Sequence, residues 1–591
     1  MAGLKDILTH LDNDIRKMSY YDVCSAIGNA DKDSQQEFEI KSEIMAMSFV
    51  EDAGHKEWGC YYGPEVTWKR KDNGEMVYAP DISGIKSQHI DYWTKRASET
   101  NNPLLRMRYA GLVWEFCKKI TNCEPSYKDI KLAFIVSSIE TVEQDLAEYS
   151  ISGIVYCKRA IEKAISIGNQ ELTDRAIKAL MSYQKRYERD DLAGIWGKPF
   201  QIMTEHLNAF APYEAIMVNE MQERFERLET KCKSEGGKTD SYVHTLKDAA
   251  ELLAEYYKQK QQQEKIKEYF SRYHSCLKMS YDLRGAMWSH GMLQVLQHLY
   301  RKYNLTKEAN NLYLEIQSMG SKALTEMKPV EVSLPIDNKL LDEYFEPLLT
   351  GTEHEILMKY MVKYMPNLEN EKQQQKKEAE QSPLMDMVRT VAYNQAGMPI
   401  NNIGVGERAE EQKLSYGMYR RMMISAMFMD LHIKRMEEQE IYTYEKILNL
   451  FKDNPLILDS QRSLFEKAMK AYFEKDYIVA CHILVPLFES VIRNLAASTG
   501  HEVLRASGEP EEGNEYVSLE KLLGVLEQDD NEQKDIYVYF KNLFTDKFGW
   551  NTRNLLCHGA LASSAFNNTL ANRIVHAFLL LSQIRLVPIT E

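Results

Sequence analysis

The sequence predicts an all-α protein: an irregular, α-solenoid-like helical array followed by a C-terminal bundle of four or five helices. Three observations carry this expectation. Apolar residues recur at spacings of three and four from about residue 128 to 360, the period of a helix with one buried face. The connections between these runs are short and hold Gly, Asn or Asp, which suits helices folded back on their neighbours. Hydrophobic residues make up 44% and charged residues 27% of the 591-residue chain, the balance expected of a globular protein. No fixed-period consensus is visible, so the array is irregular rather than a regular repeat.

A chain of this length accommodates roughly three to five domains, or one long array with domains attached. Four segments are expected. Residues 1–125 form a mainly helical domain with a small aromatic hairpin, and residues 126–370 the array. Residues 381–450 form a connecting helical region, and residues 451–591 the bundle. The net charge of −14, from 73 Lys and Arg against 87 Asp and Glu, argues against a broad nucleic-acid-coating surface. It leaves room for a small basic pocket. Nine widely spaced Cys read as reduced thiols. Cys117 and Cys123 lie close together, but no second pair follows, so neither a metal nor a cofactor is expected. The opening residues lack a signal-peptide pattern, and no apolar run approaches the ~18 residues of a membrane span. A cytoplasmic protein without membrane contact is the expectation.

In chain order, Leu4, Ile7, Leu8 and Leu11 share one helical face. Between residues 58 and 80 the texture changes to Trp, Tyr and Gly. There Asp72-Asn73-Gly74 is a turn signal between Val66-Thr67-Trp68 and Met76-Val77-Tyr78, which reads as a hairpin. Asn102 followed by Pro103 marks a helix start, with Asn as cap and Pro in the first turn. Arg106 is expected to bridge to Glu115 or another acid. Successive helices are expected over 130–149, 155–167, 171–189, 213–230, 242–270, 272–303 and 305–319. Pro329 and Pro335 break the array. Residues 371–380 read as an exposed helix end or a linker. Gly404 and Gly406 mark a plain loop. Met422, Met423, Met427 and Met429 read as the core face of a helix over 407–438. In the last segment, helices over 460–475 and 480–497 precede a Gly- and Glu-rich loop over 501–517, then helices over 519–526, 536–543 and 571–584.

The most informative stretch is Asn551-Thr552-Arg553-Asn554-Leu555-Leu556-Cys557-His558-Gly559, a polar cluster between two apolar helices. Arg553, Asn554, His558 and Gly559 resemble the signature of the HEPN superfamily, more closely a bacterial domain family with the pattern Arg-Asn-x-x-x-His-Gly. The resemblance implies a helical domain that pairs with a second copy and cleaves RNA without metal. The chemistry is arguable from the residues as well. A 2′-hydroxyl can attack the adjacent phosphorus, an imidazole can carry the proton, and a guanidinium can hold the phosphate oxygens as charge builds. Residues five apart on a helix lie about 140° apart, so the motif must open as a turn, or the Arg must reach round, or a second subunit must complete the pocket.

The resemblance therefore implies a regulated, defence- or toxin-type endoribonuclease, with Arg553, His558 and Asn554 as the expected catalytic residues. Glu489 and Arg493, an i, i+4 pair, would support them by orienting His558 or contacting phosphate. The partners expected are RNA, a second copy through the bundle, and a protein on the array. The alternative is a non-catalytic helical scaffold, or an RNA- or protein-binding protein, whose bundle dimerises without chemistry.

Overall fold

In the computed structural model, residues 3–14, 16–29, 36–51, 58–70, 74–234, 240–328, 336–386, 388–394, 397–404, 409–506, 513–529 and 533–584 are described, and they are almost entirely α-helical. Four short two-stranded antiparallel ladders are the only sheet among them. The chain divides into two compact units, Met1–Met327 and Lys328–Glu591.

The first unit is a succession of antiparallel helical neighbours. Ser150–Ser166 packs on Gln170–Tyr187, Asp240–Gln259 on Gln263–Met279, and Ala286–Lys302 on Thr306–Glu326. Each presents an apolar stripe to its neighbour; on Gln170–Tyr187 it is Ala176, Ile177, Leu180 and Tyr183. The Pro103–Thr121 helix starts as its sequence predicts. Asn102 Oδ1 accepts from the Leu104 amide at 3.0 Å, and Pro103 occupies the first turn. The same Asn donates to the carbonyls of Leu11 and Asp14, tying the N-terminal helix to this start. Arg106 does not bridge to Glu115; it donates to the Thr100 carbonyl at 2.9 and 2.7 Å. Glu115 instead pairs with Lys163 at 2.8 Å and Arg159 at 3.5 Å. The expected helices over 242–270 and 272–303 are each interrupted. Gln261 and Gly285 have positive φ, which no continuous helix tolerates. The hairpin pairs Val66–Lys69 with Met76–Ala79, Trp68 opposite Val77; Asp72 and Asn73 lie outside the described residues. Trp58 packs on Tyr78 and Phe49, so this aromatic region is pinned to helices rather than free.

The second unit closes around one apolar cluster that runs from Ile356 to Leu581. Its main helices are Glu353–Tyr364, Glu410–Glu438, Asp459–Phe473, Tyr477–Ser498, Lys534–Phe544 and Asn568–Ser582. The expected boundaries at 370/381 and 450/451 do not separate anything here. Tyr360, Met361 and Tyr364 share this core with Ile433 and Ile574. The unit boundary at Met327/Lys328 falls inside the segment expected as the array. Residues 371–380 belong to the Leu368–Gln381 helix, whose Glu371 and Glu378 both pair with Arg421. Thr390–Tyr393 pairs with Pro399–Ile403 as strands. Gly404 follows that ladder; Gly406, Pro329, Pro335 and residues 507–512 of the Gly- and Glu-rich loop lie outside the described residues. The four methionines split: Met422 and Met429 are in the core, while Met423 and Met427 are exposed.

The Tyr477–Ser498 helix corrects the expectation that no stretch approaches spanning length. At 22 residues it is long and apolar enough to cross a membrane by length and composition. Half of it is buried inside this unit, as in a core helix. Pro486 lies within it without ending it.

Candidate functional site

The polar stretch of the second unit is a short helix, Thr552–Cys557, held between two residues of positive φ. Asn551 at its start has φ of 50°, and Gly559 just past its end has φ of 64°. The end is a Schellman closure. Ala560 N–H donates to the Leu555 carbonyl at 2.8 Å, and Gly559 N–H to that of Leu556 at 3.0 Å. His558 is the C-cap, so the Gly that follows it has a local role: it supplies the left-handed turn. Gly549 has a different one. A methyl group there would overlap the Asn542 carbonyl, close to which the chain passes so that Trp550 N–H can donate to the same oxygen at 2.7 Å.

Of the five residues singled out by sequence, four are joined in a line. Arg493 Nη2 donates to Glu489 Oε1 at 2.9 Å, and Arg553 Nε to Glu489 Oε2 at 2.9 Å. Arg553 Nη1 donates to Asn554 Oδ1 at 3.1 Å, and Asn554 Nδ2 to Asn551 Oδ1 at 2.8 Å. Arg493 also lies over the exposed Tyr516 ring, 4.5 Å from its centre, beneath the Leu504–Ala506/Asn514–Tyr516 ladder. One carboxylate thus serves two guanidiniums, which leaves the group one positive charge in excess. Glu489 orients Arg553, not His558. The His558 ring is exposed and makes no hydrogen bond or ion pair with the described residues.

This geometry bears on what Arg553 can hold. A guanidinium grips a phosphate through two neighbouring N–H groups at once, either along the Nε edge or along the paired Nη edge. Glu489 occupies Nε, and Asn554 occupies Nη1. Each of these bonds engages one nitrogen of Arg553, and three of its five N–H groups remain. The arrangement is a half-buried ion-pair network, with Glu489 at 16%, Arg493 at 19% and Arg553 at 30% side-chain exposure.

A second polar cluster, in the first unit, was missed by sequence reasoning. Glu162, Glu205 and His206 hold their ligand atoms within 4.8 Å of one another. Lys158 Nζ already sits 2.9 Å from Glu205 and 3.8 Å from Glu162, so a lysine ammonium fills the place a cation would take. The adjacent Glu205-His206 pair was the sequence signal. Nothing in spacing connected it to Glu162, which lies 43 residues before Glu205.

No family model matches the chain, and no curated protein matches it. One solved structure, described as a circular tandem repeat protein with novel repeat topology and enhanced subunit contact surfaces, is similar at 12% identity. It covers 83% of this chain and 88% of its own, with a TM-score of 0.17, a value that carries no structural argument. These findings correct the expectation of a HEPN-like, RNA-binding ribonuclease or hydrolase of antiviral defence. The matches that such a family should bring are absent, and the all-α class alone stands.

Proposed function

We propose that this protein is a non-catalytic helical interaction scaffold that pairs with a second copy of itself through its C-terminal unit. The observation that carries this reading is the outer face of the Glu410–Glu438 helix. Met423 is 44% exposed, Ile424 64% and Met427 51%, one helical turn apart on a helix whose other face holds the core. Flexible methionine side chains beside a branched apolar one suit an adaptable protein contact. In this reading the first unit acts as an irregular, α-solenoid-like array that offers side surfaces to a further protein partner. The Glu489–Arg553 network then serves to brace the short Thr552–Cys557 helix rather than to grip a phosphate.

Sedimentation velocity over a range of protein concentrations tests the pairing. The wild type is expected to self-associate, and Met423→Ser/Ile424→Ser/Met427→Ser to stay monomeric with an unchanged far-ultraviolet spectrum. A wild type that remains monomeric at high concentration removes the pairing. Incubation with mixed RNA in the presence of chelator tests the absence of chemistry. Cleavage that is lost in both Arg553→Ala and His558→Ala would overturn it.

A further inference from the structure

A cavity in the first unit lies between the N-termini of the Tyr20–Gly28 and Ser150–Ser166 helices and the end of the Glu37–Ser48 helix, with a volume of about 750 Å³. Its lining has an unusual chemistry. Tyr20, Tyr21, Tyr149 and Tyr156 contribute four aromatic rings. Glu51, Glu65 and Glu148 contribute three carboxylates, and among the described residues no Lys, Arg or His lines it.

These groups are built into the fold rather than loosely clustered. Arg108, fully buried behind the cavity, donates to the carbonyls of Ala46 and Phe49 and pairs with Glu51 at 3.0 Å. Its guanidinium lies 4.3 Å from the centre of the Tyr20 ring, and Tyr20 Oη donates to Glu51 at 3.3 Å. One ring and one carboxylate are therefore held rigidly, with the charge of Glu51 answered. Glu65 and Glu148 form no ion pair among the described residues and stay exposed beside the cavity, with the Tyr149 hydroxyl hydrogen-bonded to Glu148. Tyr156 is only 8% exposed, whereas Tyr21 at 77% and Tyr149 at 62% stand at the rim, their rings stacked on no other ring or cation among the described residues.

Aromatic faces carry negative electrostatic potential, and several rings around one cationic group attract it more than any single ring does. Carboxylates without a cationic partner among the described residues add to that field, and an apolar floor from Met47 and Leu104 accepts alkyl substituents. We propose that this cavity binds a small organic cation of the quaternary-ammonium type through its tyrosine faces and the carboxylates of Glu65 and Glu148. The inference stands independently of the scaffold reading, because it concerns the first unit alone.

The test uses the full chain, with choline as the probe and 3,3-dimethylbutan-1-ol as its uncharged isostere, followed by calorimetric titration and saturation-transfer NMR. Choline is expected to bind, and the isostere at least about tenfold more weakly, since each ring adds cation attraction that a neutral group does not feel. Glu65→Gln/Glu148→Gln is expected to weaken choline about fivefold, and Tyr21→Leu/Tyr149→Leu about five- to tenfold, both in exposed positions that leave folding intact. Equal binding of the two probes, no binding of choline, or unchanged binding in both variants would overturn the proposal.

Discussion

At the scale of single residues, burial of polar groups decides most of what this protein tolerates. Arg108 and Arg573 are both fully buried, and each is held largely by main-chain carbonyls. Arg573 donates to the carbonyls of Tyr364 at 2.8 Å and Met422 at 2.9 Å. His432 is the opposite case. It is fully buried among Phe345, Tyr360 and Tyr364, and neither ring nitrogen has a hydrogen-bond partner among the described residues. Burial, with Arg435 and Lys363 nearby, pushes its pKa down to about 4. The folded state therefore resists the proton that the unfolded chain accepts near pH 6.5. Stability is full above about pH 6.5 and falls as the pH drops toward 4, by about 3 kcal/mol in all. His432→Leu is expected to unfold in urea much like the wild type at pH 7.5. At pH 5 it should have lost about 2 kcal/mol less than the wild type, 1.5 pH units below the ordinary histidine value. An unchanged pH slope would refute this. His576, buried and held by Met361 and Tyr539, is pushed down in the same direction and adds to the acid sensitivity.

At the scale of elements, what could be read in advance was the helical period, and what could not was where backbone geometry interrupts it. The Tyr477–Ser498 helix was visible because Cys481, Leu484, Val485 and Phe488 form one stripe. The Ala193–Glu205 helix lies outside the expected set; it carries Gly194, Gly197 and Pro199, residue types that interrupt a helical pattern. There Gly197 lets Leu252 pack close against the helix, a contact that spacing does not reveal. The polar signature was legible as a cluster, but its wiring was not. Glu489 and Arg553 are 64 residues apart, so only the packing of two helices brings them together. The two glycines flanking the signature separate two causes of intolerance. Gly559 has open space around it and a positive φ, so Gly559→Ala should cost about 1 kcal/mol of backbone strain. Gly549→Ala must displace the Asn542 carbonyl from a packed turn and should cost more, about 2–3 kcal/mol. Urea midpoints of the two variants check the order; equal losses would show that the Asn542 turn yields easily.

At the scale of the whole molecule, the division at Met327/Lys328 has a physical basis in the second unit, whose buried cluster lies wholly within residues 356–581. A core that closes on itself should fold by itself. Residues 1–328 and 336–591, produced separately, are each expected to unfold cooperatively on heating with helical spectra that add up to that of the full chain. A noncooperative melt from either piece would mean that the two cores depend on each other. Within the second unit the order of the chain has a consequence for its making. Arg573 and His576, which reach back to Tyr364, Met422 and Met361, are on Asn568–Ser582, which leaves the ribosome after every other described helix of the unit. Until they emerge, the carbonyls they satisfy stay unsealed and the surrounding apolar faces uncovered. Maturation of this half must then await emergence of that helix, and a nascent chain stalled before it would present a sticky, half-built interior to chaperones and proteases.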